Sequence, residues 1–537
     1  MTIKKYIFFF ISVAQAIAQT GPAGVGTNDG FSALKLWLDA NVGVYQDPWK
    51  QQAAENFGRV TTWKDQSGSN NDLMAEYDST RPSYQRNLPL LNEQSVIRFN
   101  RNLHPKNQRN YLISKSFQAT SDITIYCVFF PTKRGGGNNV TPHASTLLSP
   151  NYWYYGSGLV DAGVPGPFND ISMTLCDSSL AAGAGDSTVP MDYTVKTPLV
   201  MNRSHFGMVQ KEAKSGLMAV SVDGNFAATF FSGTQPINNP LKYYIGSTSD
   251  TKSDKEDTFF DGYIANILVY NKILNPTEKL ILENYLSAKY DIPLPQNDLY
   301  TMDRNRYGNY DFDMAGIGKS SDGSSQLTAK GEGIVKISNP SDLSLNEYLF
   351  WAHNGMPYSL EITDLPTGVQ QRLLRLWRID EVGETGNVDI TVDATGFLKD
   401  YSKDLVLLID KNNDGRFSDE RLGQGMIVAS TNLGNGTYNF HGIDLDKEQQ
   451  FTFALMDAPC TTDCDASFSP NGDGQSDTYL IETDGHTNIY NKYGQHIKKF
   501  TSSGYWDGTN ASGEVVPPGL YFIVDSNGSS KTVTLVR

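Results

Sequence analysis

Residues 216–231 read "GLMAVSVDGNFAATFF", two alternating runs joined by Asp223 and Gly224. Apolar side chains recur at every second position in each run, which is the period of a strand with one buried face. An Asp-Gly pair tolerates the left-handed backbone conformation that a two-residue hairpin turn requires. The stretch therefore predicts an antiparallel β-hairpin.

The same two-residue period recurs along most of the chain. A chain of 537 residues is also too long for a single hydrophobic core. We therefore predict an all-β protein of several domains. Further alternating runs lie at 122–130, 261–272, 347–353, 372–380, 387–394, 404–412 and 450–455, with clusters of Gly, Asn, Asp and Ser between them.

One segment, residues 275–295, has a helical pattern instead. Asn275 is placed as an N-cap, Pro276 stands at the first helical position, and Glu278 completes a capping box. The pattern predicts a helix that closes the first domain, with a domain boundary just after it. Apolar residues at spacings of three and four, and then two prolines that stop the helix, are Leu282, Tyr285, Leu286, Tyr290, Pro293 and Pro295.

The N-terminal residues have the features of a secretory signal peptide. Lys4 and Lys5 precede an apolar stretch from Tyr6 to Val13, and Ala16 and Ala18 form a small-x-small cleavage site. We predict a signal peptide over residues 1–18 and an exported mature chain without a transmembrane anchor, since the apolar stretch is shorter than the roughly 20 residues that a spanning helix needs. The formal net charge of -15 argues against binding to nucleic acid.

The four cysteines do not amount to a disulfide scaffold in a chain of this length. Cys127 lies in an alternating run, which favours a buried thiol. Cys460 and Cys464 are close enough in sequence to form a disulfide within a linker. The pairing of these three and Cys176 is left open.

Residues 410–420, "DKNNDGRFSDE", have the ligand spacing of an EF-hand-like calcium loop. The pattern departs at position 12, where Arg421 replaces the usual Glu. An Asp-Gly hairpin turn looks similar, so both interpretations remain open, and calcium would have a structural role. We expect no organic cofactor. The candidate ligands are Asp410, Asn412, Asp414, Arg416 through its carbonyl, Ser418 and Glu420, with Asp419 as a substitute for Glu420.

Catalytic motifs do not stand out. Asp380 and Glu381 are adjacent in a predicted strand, so they point to opposite faces rather than into one cleft. The run 315–321 resembles the end of a phosphate-binding loop, but Asp313 stands where that motif needs glycine. These patterns favour a protein without enzymatic activity over an enzyme.

The first region resembles the concanavalin A-like (laminin-G-like) sandwich of exported Bacteroidetes proteins, and we assign it to residues 20–294. The matching stretches are 34–44, 63–73, 96–100, 158–170, 221–225, 243–247 and 260–292. The resemblance implies a rim that binds glycan or calcium. Candidate rim residues are Asp161, Asn169 and Asp170, and the aromatic faces of Trp153, Tyr154 and Tyr155 are candidates for a sugar; the alternatives are a shaped loop and a half-buried strand.

Through the runs "GIGKSSDGS", "LFWAHNG" and "LLRLWRIDEVG", the region 296–457 is similar to a second β-sandwich that commonly follows that module. The resemblance does not establish its function, and we treat it as a spacer or interaction module. After a linker at 458–466, residues 467–537 resemble the gliding motility-associated C-terminal domain, the type B sorting domain of type IX secretion. That resemblance implies a small Ig-like sandwich that the outer-membrane export machinery grips. Its motif residues are Pro470, Asn471, Gly472, Asp473, Gly474, Asp477, Tyr493, Gly494, Trp506, Asp507, Gly508, Pro518 and Gly519.

The motif "FSPNGDGQSD" (468–477) contains turn-forming glycines, and Asp473 and Asp477 also offer oxygen ligands to a cation. The sequence as a whole predicts an exported cell-surface or secreted protein that reaches its place through the periplasm. Its predicted role is lectin-like binding or adhesion to a polysaccharide or glycoprotein. The alternatives are a glycan-degrading enzyme and a structural component of an adhesin or motility layer.

Overall fold

The chain folds into three β-rich units that follow one another in sequence. Among the described residues no helix is long and apolar enough to cross a membrane. The computed structural model describes residues 20–101, 109–117, 122–135, 157–162, 171–186, 189–231, 233–234, 241–248, 258–399, 404–421, 424–428, 431–456, 467–471, 477–483 and 485–536.

The N-terminal sandwich contains strands β1 to β17. Short 3-10 helices lie at Pro22–Gly24, Asp78–Thr80 and Pro89–Leu91. The strands are β1 (Leu34–Asp39), β2 (Val44–Tyr45), β3 (Thr62–Trp63), β4 (Leu73–Met74), β5 (Ser83–Leu88), β6 (Gln94–Phe99), β7 (Leu112–Ser114), β8 (Ile123–Pro131), β9 (Ser157–Ala162), β10 (Ile171–Cys176), β11 (Ser179–Asp186), β12 (Val189–Pro198), β13 (His205–Lys211), β14 (Leu217–Val222), β15 (Asn225–Phe231), β16 (Tyr243–Ile245) and β17 (Gly262–Tyr270).

These strands form two facing sheets. Sheet 1 has the order β15-β14-β13-β8-β17-β6-β5, with β1 also paired to β17, and sheet 2 has the order β12-β11-β10-β9-β16-β7-β4-β3-β2. Alternate residues of both sheets meet in one apolar core, for example Leu36 and Val209 of sheet 1 with Leu112 and Met173 of sheet 2. The Cys127 thiol is buried and free, as predicted.

The hairpin predicted at residues 216–231 is present. β14 and β15 pair antiparallel, with Val222 opposite Asn225. Asp223 and Gly224 both have positive φ, 52° and 72°, which is the conformation of the turns that fit the right-handed twist of a hairpin. Local turn chemistry therefore sets the register of this pair.

The central sandwich contains strands β18 to β31. Sheet 3 has the order β19-β18-β22-β25-β31-β24-β23 with β27 and β28 attached through β31, and sheet 4 has the order β20-β21-β26-β30-β29. The strands are β18 (Phe312–Lys319), β19 (Ser325–Gln326), β20 (Thr328–Ala329), β21 (Val335–Ser338), β22 (Glu347–His353), β23 (Leu360–Glu361), β24 (Val369–Leu373), β25 (Trp377–Val382), β26 (Val388–Asp393), β27 (Asp404–Ile409), β28 (Met426–Val428), β29 (Thr431–Gly434), β30 (Thr437–Ile443) and β31 (Gln450–Met456); a 3-10 helix lies at Asn305–Tyr307.

Helix α1 (Pro276–Tyr290) lies between the two sandwiches. The Asn275 side chain accepts a hydrogen bond from the Glu278 amide, and the predicted capping box is formed. The helix ends at Tyr290, before Pro293, because Asp291 takes a left-handed conformation (φ 49°) and its amide bonds the Ser287 carbonyl. Its apolar residues belong to a cluster with the outer faces of sheets 1 and 3, so the helix is shared by both units rather than closing only the first.

The C-terminal domain contains strands β32 to β38. Five of them form sheet 5 in the order β32-β38-β37-β34-β35, and β33 pairs with β36 as sheet 6. The all-β, multi-sandwich prediction is confirmed. The strands are β32 (Ser467–Phe468), β33 (Tyr479–Ile481), β34 (Thr487–Asn491), β35 (His496–Phe500), β36 (Gly504–Trp506), β37 (Gly519–Asp525) and β38 (Ser530–Leu535).

Candidate functional site

Several predicted site residues lie outside the described residues. These are the aromatic run 153–155, Asn169, Asp170, Cys460, Cys464 and the motif residues 472–474. Asp161 lies in β9, opposite Ser172 of β10 and Tyr244 of β16, and its side chain is not described. The predicted glycan rim therefore stays a prediction.

A second aromatic surface is fully described, and it projects from the edge of sheet 2. Trp49, Phe57 and Tyr77 expose 75%, 71% and 59% of their surface. They lie in the loops that flank the short edge strands β2, β3 and β4. Large aromatic side chains exposed together on a folded domain commonly mark a binding surface. We call these three residues the aromatic surface.

The loop that carries Trp49 is held by hydrogen bonds. The Asp47 carboxylate accepts bonds from the backbone amides of Trp49 (2.8 Å), Gln51 (3.1 Å) and Gln52 (2.6 Å). The Gln52 amide is the main cause that lowers the pKa of Asp47, so the carboxylate stays charged. The ring of Trp49 is thus presented by an ordered loop, which reduces the entropy lost on binding.

Contacts between loops bring the three aromatic residues to the same edge of the sandwich. Lys50 forms an ion pair with Asp72, Nζ to Oδ2 at 2.6 Å, which joins the Trp49 loop to the segment before β4. Arg59, two residues after Phe57, lies 3.9 Å from Asp78, which follows Tyr77. The sequence pattern did not reveal this surface, because these loops show neither strand nor helix periodicity.

The loop 410–420 is folded around its own acidic side chains. The buried Asp410 carboxylate accepts bonds from the amides of Asp414 (3.2 Å) and Gly415 (2.8 Å). Glu420 accepts a bond from the Lys411 amide at 2.8 Å. Burial raises the pKa of both Asp410 and Glu420 although these amides oppose it, so a cation would relieve the cost of their charged forms.

Other residues of that loop hold its shape through further hydrogen bonds of their nitrogen atoms. Asn412 Nδ2 donates to Asp419 at 2.9 Å, and the amide of Arg416 donates to Asp414 at 2.9 Å. The Ser418 amide donates to Asp364, on a different segment, at 2.9 Å. Within the described residues no three or more His, Cys, Asp or Glu side chains are grouped to hold a metal ion. Calcium binding at this loop therefore stays a prediction.

The sorting motifs build the core of the C-terminal domain. Trp506 is fully buried and packs edge-on against Tyr521, with ring centroids 4.9 Å apart, and its Nε1 donates to the Thr509 carbonyl at 2.8 Å. The Asn471 amide donates to the Asp477 carboxylate at 3.1 Å. Further motif residues shape turns: Gly494 and Gly508 have positive φ, Asp507 accepts bonds from Thr509, and Pro518 and Gly519 lead into β37.

A charged network joins the two large sandwiches. The Lys289 ammonium lies 2.6 Å from Asp39 of β1 and 3.1 Å from Glu332 of the central sandwich, and Tyr285 bonds both Lys289 and Glu332. Burial alone lowers the pKa of Lys289, but the two carboxylates raise it well above its ordinary value, so the lysine stays charged. A polar cleft of about 230 Å³ lies beside this network, lined by Trp37, Asp39 and Glu332 among others.

Asp380 and His205 are engaged in structural contacts. Asp380 is fully buried and accepts bonds from the amide and hydroxyl of Thr301, whereas its neighbour Glu381 is partly exposed. The two carboxylates therefore face opposite sides, as the strand period predicts. His205 bonds Asp223 at 2.7 Å through Nδ1 and the Val200 carbonyl at 2.8 Å through Nε2, so neither ring nitrogen faces a nucleophile.

Two regions match known family models. Residues 278–449 match a domain of unknown function, DUF8202, which begins inside α1 and covers most of the central sandwich. Residues 462–534 match the CHU_C type IX secretion signal domain, which confirms the predicted sorting domain. This signal marks the protein for export to the cell surface or the medium. A search of curated proteins finds no match.

The similarity to solved structures is distant. A SAP-like pentraxin from Limulus polyphemus is 16% identical, covers 37% of this chain and 84% of its own, and has a TM-score of 0.27. The CBM40 of a Ruminococcus gnavus sialidase, bound to α2,3-sialyllactose, is 14% identical, with coverages of 30% and 82% and a TM-score of 0.23. Domain 4 of a Geobacillus stearothermophilus arabinanase, in complex with arabinotriose, is 10% identical, with coverages of 47% and 97% and a TM-score of 0.30. The concanavalin A-like assignment stays a prediction.

Proposed function

We propose that this exported protein binds a polysaccharide, or the glycan of a glycoprotein, through the aromatic surface of its N-terminal sandwich. The observation that carries the proposal is Trp49, three-quarters exposed on a loop that the Asp47 carboxylate holds in place. Phe57 and Tyr77 are exposed in loops at the same sheet edge, and several large apolar side chains exposed at one place mark a binding surface more often than a single one does. A partner that covers the ring accounts for its position.

A glycan suits this surface because a sugar ring has both apolar and polar parts. The C–H face of a sugar packs against an aromatic ring, and its hydroxyls need donors and acceptors nearby. The side chains of Gln51, Gln52, Glu55 and Asn56 are exposed around the aromatic residues and offer both. A purely apolar protein partner would leave these groups without hydrogen bonds.

The proposal is tested by substitution of the exposed rings. We expect Trp49→Ala combined with Phe57→Ala to lower binding on a glycan array or to insoluble polysaccharide at least tenfold, since each stacked ring contributes about 1 kcal/mol or more. The matched control is Ile362→Ala, which removes a side chain that is 74% exposed on the central sandwich. Equal binding by the double variant and the control would refute the proposal.

The same purified protein separates the two other roles. Release of reducing ends from a bound glycan would indicate a glycan-degrading enzyme, provided that replacement of one carboxylate at the binding site abolishes the release. Ordered self-assembly without added glycan would indicate a structural component of a surface layer. Binding without product release and without assembly is the result expected here.

A further inference from the structure

We propose that the C-terminal domain is locked onto the central sandwich by an apolar contact, and that it stays bound there when the chain between the two units is cut. The domain that carries the export signal would then be a fixed part of the passenger surface rather than a loosely tethered tag. The proposal does not depend on glycan binding.

The C-terminal domain contributes an apolar stripe that its own core does not use. Along β37, Tyr521 and Ile523 point into the domain core with Trp506. The alternate residues Phe522 and Val524 are buried too, but in a cluster with residues of the central sandwich. Strand alternation puts these two on the outer face of sheet 5. A domain that was merely tethered would expose both side chains to water.

The central sandwich supplies the matching surface from the outer side of sheet 3. On β27, Leu405, Leu407 and Ile409 fill the sandwich core, while the alternate residues Val406 and Leu408 are buried in the cluster that contains Phe522 and Val524. We call the residues that the central sandwich contributes to this cluster, beginning with Val406 and Leu408, the docking surface. Its remaining members are Val369, Phe417, Met426 and Ala454.

Phe417 belongs to the predicted calcium loop and is held in place at the contact between the central sandwich and the C-terminal domain. Its ring is almost fully buried, and its amide donates to the Asp364 carboxylate at 3.0 Å. The Arg372 guanidinium lies over the ring, 5.3 Å from its centroid, and is also paired with Asp364. The acidic loop therefore has a structural task that the metal-ligand interpretation did not foresee: it carries a side chain that packs against the C-terminal domain.

Polar residues surround the apolar contact between the central sandwich and the C-terminal domain. Arg421 follows the acidic loop and packs against the turn between β37 and β38, where a Cβ added at Gly528 would lie 2.2 Å from its Nη1. Glu420 and Ser529 line a small polar cavity of about 160 Å³ beside the apolar cluster. An apolar centre with a polar rim is the anatomy of a specific interface.

Docking leaves the opposite outer face of the domain for other contacts. On sheet 6, Ile481 and Trp506 face the domain core, and Leu480 pairs across the strands with Tyr505. Leu480 and Tyr505 are exposed, the latter by 66%. Because sheets 5 and 6 lie on the two sides of the domain core, this face points away from the docking surface and serves as the matched control.

The test uses the full-length chain with a specific protease site placed within residues 458–466. After complete cleavage, we expect the fragment that contains residues 467–537 to co-elute with the passenger in size-exclusion chromatography at micromolar concentration. Phe522→Ser is expected to release the fragment, and so is Phe417→Ser, which leaves the sequence of the C-terminal domain unchanged. Tyr505→Ser is expected to retain it.

Two results would overturn the proposal. The first is separate elution of the fragment from the otherwise natural chain after cleavage. The second is retention in both Phe522→Ser and Phe417→Ser, which would place the contact elsewhere. Release by Phe417→Ser, with the released fragment still showing the fluorescence of its buried Trp506, excludes unfolding of the C-terminal domain as the cause.

Discussion

Lys289 is the one lysine in the described residues that contacts carboxylates from both large sandwiches. Its ammonium compensates Asp39, whose side chain is almost fully buried, and Glu332, which is partly buried. Removing a single partner from such a group leaves buried charge without compensation, which costs more than the intact group contributes. The contact between the sandwiches is therefore specific as well as apolar.

Lys289→Met is expected to destabilise the chain by about 3 to 5 kcal/mol, because Asp39 and Glu332 lose their counter-charge. Chemical denaturation followed by tryptophan fluorescence measures the change. Lys272→Met is the control, since Lys272 is paired with Glu278 but its own side chain is exposed, and ion pairs open to solvent contribute at most about 1 kcal/mol. Similar losses in the two variants would show that Lys289 has no special role.

Asp303 gives the stability a pH dependence. Burial raises its pKa from 3.8 to about 7, and the neighbouring Asp298 and Asp311 add to the effect. The folded state therefore binds the proton more tightly than the unfolded chain does, and this contribution to stability is lost as the pH rises from about 4 to 7. We expect Asp303→Asn to exceed the natural chain in stability at about pH 8 by on the order of 2 kcal/mol, and to match it at about pH 3.5.

Thermal unfolding at both pH values checks this expectation. A gain of equal size at both would attribute the effect to packing rather than to ionisation. A loss at about pH 8 would show that the charged carboxylate of Asp303 has a partner that favours it.

Helix α1 connects local sequence signals to tertiary packing. Its N-cap and capping box follow from Asn275 and Glu278 alone. Its burial on nearly all sides depends on two sheets that are far apart in sequence: Phe206 of sheet 1 and Phe350 of sheet 3 belong to the same cluster as the helix. Because the helix packs against both sandwiches, a change that destabilises the helix is expected to destabilise the strands on either side of it.

Asn275→Ala is expected to cost about 1 kcal/mol, because the Glu278 amide loses its acceptor at the N-terminus of α1. Hydrogen exchange should then become faster in α1 and also in β18, which the helix contacts. Lys279→Ala, on the same helix but outside the cap, is the control and should change exchange little. Faster exchange confined to the first turn would show that the helix is not shared by the two sandwiches.

The three units pack against one another through shared apolar clusters. Sheet 2, sheet 1, α1, sheet 3 and sheet 4 follow one another, and the C-terminal domain covers another part of the outer face of sheet 3. The outer face of sheet 3 is thus covered in two places, by α1 and by the C-terminal domain. Sheet 2, whose edge strands carry the aromatic surface, is the outermost layer on the N-terminal side.

Deletion of residues 467–537 is expected to leave the passenger in the periplasm, because the type IX signal lies there. Fractionation with an antibody against the N-terminal sandwich measures this. The control is the Trp49→Ala chain, which keeps the C-terminal domain and should be exported normally. Secretion of the truncated chain would contradict the export assignment.

Much of the strand arrangement was predictable because a two-residue period and turn dipeptides act over a few residues. The hairpin at Asp223 and Gly224, the cap at Asn275 and the terminal sorting motifs are of this kind. The alternating run 372–380 shows the limit: the structure divides it into the end of β24 and the start of β25, which both pair with β31. Period alone does not say which strand is the neighbour.

The sequence by itself determined the strand class, the helix, its cap and the export address, since each depends on neighbouring residues. Only the tertiary structure decided the sites. Asp39, Lys289 and Glu332 meet across sequence separations of 43 and 250 residues, and Phe417 and Phe522 belong to one apolar cluster although they lie in different units. The exposure of Trp49 is decided in the same way, because a ring stays in water only where no other part of the folded chain covers it.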